Sequence, residues 1–306
     1  MARGAGAQLT WPRSVSGLCG SWCWGVLALL VATGCSYDWD SLDPRFAAGG
    51  GAAGEPSGTG GFVITGTGGS PGDGGAEPGP PSRTTRGLQG LYTFEEGEGD
   101  TIGDVSGVGE PLDLTIADAG QVSWDSGTLT FAGTTLAVSD GAAAKIISAC
   151  KDSNELSLEA WLAAESDDPG PTAPIVTVSQ DEDWRNFMLA QTGVAWDVRV
   201  RMADTNEAGS PGTSSPTVST QVTHVVYTLN SDGEVMIYTN AVGRGPVSRG
   251  GDLSGWNDDY ALALGNEMTE DAPWAGTLHL VAVYCAALTE EEVEGNFLVG
   301  PEPESE

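Results

Sequence analysis

Carboxylates dominate the groups in this sequence that could do chemistry: 43 Asp and Glu stand against 12 Lys and Arg. In pairs, carboxylates hydrolyse glycosidic bonds, one as nucleophile and one as acid, about 5–5.5 Å apart in retaining enzymes. On one strand such a pair must stand at i, i+2 or i+4, the positions that share a face. Glu159 lies in the alternating segment Leu156 to Leu162, but no acid occupies positions 157, 161 or 163. The acid runs Asp181-Glu182-Asp183, Asp258-Asp259 and Glu290-Glu291-Glu292 fall in turn-like or helix-opening stretches. There a solvated surface is the expectation. His224 is the one histidine in a convincing mid-domain strand, so a Ser-His-Asp arrangement has little support. No catalytic residue is assigned, and the chain reads as a non-enzyme.

Two tryptophans suggest binding instead. Trp184 (in Asp-Glu-Asp-Trp-Arg-Asn) and Trp256 (in Gly-Trp-Asn-Asp-Asp-Tyr) lie in polar loops. An aromatic ring among amides and carboxylates can stack on a sugar and hydrogen-bond its hydroxyls. Both are therefore candidate ligand-binding residues. Trp161 and Trp196 alternate with polar neighbours in strands and are expected in the core, as is Trp274 before the last strand.

The formal net charge of −31 limits the partners. Nucleic-acid binding needs clustered Lys and Arg to displace counterions, and it is excluded here. Attachment to anionic lipid through basic residues is excluded for the same reason.

Membrane attachment by another route is expected. Arg3 and Arg13 precede an apolar stretch, Gly17 to Thr33, densest at Val26 to Val31 and short for a membrane span. The following Ala32-Thr33-Gly34-Cys35 resembles a bacterial lipobox, with Ala32 where the motif usually has Leu. That resemblance implies a lipoprotein signal peptide over 1–34, lipidation of Cys35, and export to the outer membrane or cell surface. Residues 35–86 read as a disordered tether, because positions 47–82 are rich in Gly and Pro and offer almost no apolar surface to bury. Residues 301–306 read as an acidic tail. Of the five cysteines, Cys19 and Cys23 leave with the signal and Cys35 carries lipid. The remaining two, Cys150 and Cys285, suggest a disulfide in an exported chain.

The elements that must position these residues are strands, over one domain, 87–300. Leu88 to Phe94, Gly127 to Phe131, Leu156 to Leu162, Ile175 to Val178, Trp196 to Met202, Val222 to Leu229, Val235 to Tyr238 and Leu278 to Tyr284 are strand-like. Ser231-Asp232-Gly233 signals a hairpin turn. Ala142 to Cys150 and Thr289 to Val293 alone look helical, the latter with Thr289 as N-cap. Many strands without βαβ alternation predict an all-β antiparallel sandwich or jelly roll.

An ordered set of motifs carries a family resemblance. Leu91-Tyr92-Thr93-Phe94-Glu95-Glu96-Gly97, Asp104-Val105-Ser106-Gly107-Val108-Gly109, Leu156-Ser157-Leu158-Glu159-Ala160-Trp161 and Thr223-His224-Val225-Val226-Tyr227-Thr228 open it. Val235 to Ala241, Leu262 to Asn266 and Gly276 to Val293 complete it. In this order they resemble the LamG-like jelly rolls of the concanavalin A-like lectin/glucanase superfamily. The resemblance implies that Cys150 and Cys285 lie close together. It also implies a calcium site at the Asp104 turn, with Ser106, Gly107 and Gly109 as further oxygen donors, although His279 stands where the family usually has an Asp ligand. The glucanase pattern Glu-x-Asp-x-x-Glu is absent. A non-catalytic surface module binding an extracellular glycan or protein is the leading expectation. A glycan-active hydrolase on the same fold is the alternative.

Overall fold

The computed structural model describes residues 82–301, apart from 168, 169 and 217. The segments read as a signal peptide (1–34), a lipidated Cys35, a tether (through residue 81) and an acidic tail (from 302) lie outside the described residues. The chain runs through β1 (Leu88–Tyr92), β2 (Thr101–Ile102), β3 (Leu114–Ile116), β4 (Val122–Asp125), β5 (Thr128–Phe131) and β6 (Ala137–Ser139) to helix α1 (Ala144–Ser153). It continues through β7 (Leu156–Ala164), β8 (Ala173–Ser179), β9 (Arg185–Thr192), β10 (Ala195–Val200) and β11 (Thr213–Ser215). Then follow β12 (Thr223–Leu229), β13 (Glu234–Thr239), β14 (Val242–Ser248), β15 (Ala261–Leu264), β16 (Gly276–Tyr284) and helix α2 (Glu290–Val299). Among the described residues, no helix is long and apolar enough to cross a membrane.

Two antiparallel sheets form the sandwich. The first has the order β14-β13-β12-β7-β16-β5-β4, with β1 pairing β16 beyond β5; the second runs β11-β10-β9-β8-β15-β6-β3-β2. Alternation along each strand decides what faces what. On β7, Leu156, Leu158, Ala160 and Leu162 point into the inter-sheet core with Tyr227, Trp196, Phe187 and Leu264. The intervening Ser157, Glu159 and Trp161 point the other way. Such an outward face would normally meet water, but here α2 covers it: Trp161, Val226, Leu280 and Tyr284 form a second apolar cluster with Val293 and Phe297. α2 starts where the sequence places it, with Thr289 accepting from the Glu292 N–H and Glu292 accepting from the Thr289 N–H.

The predicted hairpin joins β12 to β13. Gly233 takes φ +79°, which a side chain would resist. Asn230 Oδ1 accepts from the N–H groups of Asp232 and Glu234 and closes the turn. Cys150 of α1 and Cys285, next after β16, are bonded, with Cα atoms 4.5 Å apart.

One boundary moves. Residues 83–86, assigned by composition to the tether, are bonded to the domain. Thr84 N donates to Asn296 Oδ1 at 2.9 Å, Arg86 pairs with Glu292, and Arg83 reaches Glu159 and the Gly300 carbonyl.

Candidate functional site

A cleft of ≈ 520 Å³ opens on the face of the second sheet turned away from the core. β9 and β10 supply its floor. On β10, Trp196, Val198 and Val200 point inward, so Asp197 and Arg199 share the outward face by the two-residue period. They pair at 2.9 Å (Nε to Oδ2), and Arg199 also donates to Thr172 Oγ1 at 3.3 Å. Arg185, at the start of β9, is 2% exposed, and its guanidinium lies 3.3 Å from the buried Glu267 carboxylate. Glu267 in turn accepts from Ser179 Oγ and from Met268 N at 3.1 Å. Burial pulls the Arg185 pKa down, and the Glu267 charge opposes it. Exposed Glu182, Asp183 and Asp271 complete the polar lining, with Pro171, Pro174 and Ala272 as apolar surface. The volume falls within the 300–1,000 Å³ usual for ligand sites, and charged groups of both signs converge in it.

Trp184 stands beside this cleft, flanked in sequence by the lining residues Asp183 and Arg185. Its loop is pinned: Asp181 Oδ1 accepts from the N–H groups of Asp183 and Trp184 at 3.0 and 2.9 Å. Trp184 is 45% exposed and is not itself among the lining residues of the cleft. Trp256 does not share that exposure. It is 3% exposed, its ring packs 5.6 Å from Phe187, and its indole N–H donates to the Arg201 carbonyl at 2.9 Å. A ring enclosed on both faces cannot stack on a sugar, so Trp256 is a core residue, like Trp196 and Trp274.

The cleft also bears on catalysis. A general acid at neutral pH needs a carboxyl shielded from water. Among the lining carboxylates, Glu182, Asp183 and Asp271 are exposed, and the buried Glu267 faces Arg185.

The Asp104 turn is built differently from the expectation. Asp104 Oδ1 accepts from Leu91 N at 3.2 Å and Ser106 N at 3.0 Å, and Oδ2 accepts from Leu112 N at 3.0 Å and from Lys145 Nζ. A carboxylate has about four lone-pair positions, and internal donors take all four. The carbonyl of Val108, between Gly107 and Gly109, also receives Lys145 Nζ, at 2.8 Å. This donor set does not fit a calcium ion. Burial pushes the Asp104 carboxyl up, but Lys145 and the Leu112 and Ser106 N–H groups hold it below the usual carboxylate range.

A third polar cluster was not visible in the sequence. Glu159 is fully buried under α2, where its Oε1 meets His224 Nε2 at 3.0 Å and the Arg83 guanidinium. Its Oε2 accepts from Tyr284 Oη at 2.8 Å and Asn296 Nδ2 at 2.7 Å. With the carboxylate occupied by four donors and covered by α2, the cluster holds the fold together. His224 is stacked against Trp161, with ring centroids 4.6 Å apart.

Comparison with known proteins fits this architecture. A family model described as the concanavalin A-like lectin/glucanases superfamily matches residues 133–294, more than half of the chain. The chain belongs to the concanavalin A-like lectin/glucanases superfamily. No curated protein matches it in sequence. Among solved structures, the chain is similar to a Trypanosoma rangeli sialidase in complex with sialic acid, at TM-score 0.52 and 18% identity, over 69% of this chain and 33% of that one. It is also similar to the binding domain of botulinum neurotoxin DC in complex with rat synaptotagmin II, at TM-score 0.54 and 11% identity, over 71% of this chain and 52% of that one. At such identities the likeness shows the superfamily fold alone, and the chain spans about a third and a half of those two proteins.

Proposed function

We propose that this protein is an exported lipoprotein, anchored through Cys35, whose jelly roll binds an extracellular glycan without turning it over. The cleft on the second sheet carries this reading: Arg199 and the exposed Glu182, Asp183 and Asp271 converge there over the buried Arg185–Glu267 pair, and the 45% exposed Trp184 adjoins the lining residues in sequence. Guanidinium groups donate to sugar oxygens, carboxylates accept from sugar hydroxyls, and the indole stacks on a ring face. The carboxylates in the cleft outnumber its arginines, and the whole chain carries −31, so a neutral glycan fits better than an acidic one. Absence of turnover is supported by the placement of the lining carboxylates, exposed or committed to Arg185. Export is supported by the buried Cys150–Cys285 bond, which belongs in an oxidising compartment.

A glycan array probed with the mature chain tests the binding. Neutral glycans should be retained, and Trp184→Ala should weaken their binding at least tenfold. Retention of acidic glycans alone, or undiminished binding by the variant, would refute the cleft assignment. Mass spectrometry of the mature N-terminus tests the anchor: an acylated Cys35 is expected, and an unmodified terminus at another residue would refute it.

A further inference from the structure

Lys145 occupies a place where a helix disfavours a cation. It is the second residue of α1, at the positive end of the helix dipole. Neither N-terminal acids nor a side-chain cap offset that cost, since the first turn has no acidic residue and Ala143 makes no capping bond. The side chain instead reaches across to the Asp104 turn. Its ammonium lies against Asp104 Oδ2, 2.8 Å from the Val108 carbonyl and 3.5 Å from Ser106 Oγ. The Asp104 side chain is fully enclosed and that of Lys145 is 17% exposed. A buried carboxylate without a countercharge is strongly destabilising. The turn therefore requires a positive charge, and three oxygens from residues 104–108 are aimed at one point.

We propose that Lys145 is the resident cation of this turn, a tethered ammonium in the place a metal ion would otherwise take, and that the domain is consequently stable without calcium. Covalent attachment makes the charge permanent, because the lysine cannot be removed by dilution or chelation. It also joins the β2–β3 loop to α1, the helix that carries Cys150.

Thermal melts of the full mature chain decide the matter. The native protein should melt at the same temperature in excess chelator and in millimolar calcium. Lys145→Met should lower the midpoint by several degrees, and so should Asp104→Asn. The double variant should lose clearly less than the sum of the two single losses, since it leaves no uncompensated charge. A chelator-induced drop in the native protein, reversed by calcium, would overturn the proposal. So would additive losses, or a Lys145→Met variant as stable as the native chain. If either single variant fails to fold, Lys145→Arg, which keeps the charge, should restore folding with a near-native midpoint, and its failure to do so would also count against the assignment.

Discussion

Glu159 of β7 and His224 of β12 meet 3.0 Å apart on the outward face of the first sheet, both with no solvent exposure, although 65 residues separate them in the chain. Strand pairing brings them together: Glu159 lies opposite Val226, and His224 lies opposite Trp161, one step along the same face. Arg83, Tyr284 and Asn296 complete the donor set, so the carboxylate is buried yet fully compensated.

The pH dependence of stability should report this cluster. Burial alone would raise the Glu159 carboxyl, but the His224 hydrogen bond and the Arg83 charge bring it down from the ordinary 4.5 to about 2. A folded-state value below the unfolded one means that the carboxylate stabilises the fold fully above pH 4.5 and progressively less as pH falls toward 2. Urea-unfolding free energies of the native chain and Glu159→Gln should therefore differ most near neutrality and converge between pH 4.5 and 2. A constant difference across that range would contradict the assignment.

Arg83→Met should be costly despite its place at the edge of the domain. Removing one partner of a buried charged pair typically costs about 3–5 kcal/mol, and Arg83 faces a completely buried acid. A chain trimmed to begin at residue 87 should show a similar loss in the same urea experiment. Equal stability of the trimmed and native chains would show that the 83–86 strap is ornamental.

How much of this could be read from the sequence depends on which signal each residue leaves. The strand Leu156–Leu162 was legible from its alternation and Val222–Leu229 from its β-branched and aromatic run, although both strands prove to be buried on both faces, and Thr289 with the acids after it marked the start of α2. The Glu159 cluster was not legible, because its partners at 83, 224, 284 and 296 are brought together only by pairing register and by the docking of α2. Residues 83–86 contain no apolar side chain, so their attachment through ions and amides left no hydrophobic trace. Trp256 was misread because its neighbours in sequence are polar, whereas its ring is held by Phe187 and the Arg201 carbonyl, which are distant in sequence. For the Asp104 turn a signal was present: a lysine in the first turn of a helix calls for an acidic partner.

The two loop tryptophans should separate cleanly on substitution. Trp256→Ala removes a large ring from the core and should cost about 3–5 kcal/mol. Trp184→Ala removes a half-exposed ring and should leave the melting temperature within about a degree or two, consistent with a surface change of under 0.5 kcal/mol. Equal losses in a thermal melt would contradict the placement of both.

Reduction of Cys150–Cys285 should destabilise the domain. With the cysteines 135 positions apart in the chain, the chain-entropy model gives about 5 kcal/mol, an upper guide for real proteins. Alkylation of the denatured, unreduced mature chain should label neither cysteine, and urea unfolding under reductant should shift to lower concentration. Two labelled thiols would contradict the bridge.

A neutral glycan should be held in the cleft of the second sheet and released from that cleft unchanged. Heteronuclear NMR on the mature chain, titrated with the glycan best retained on the array, tests both halves in one sample. Shift changes should concentrate at Thr172, Asp183–Arg185, Arg199 and Glu267–Ala272, with the sugar's anomeric signals constant over a day. Shifts centred on another face, or new anomeric signals from a released sugar, would contradict it.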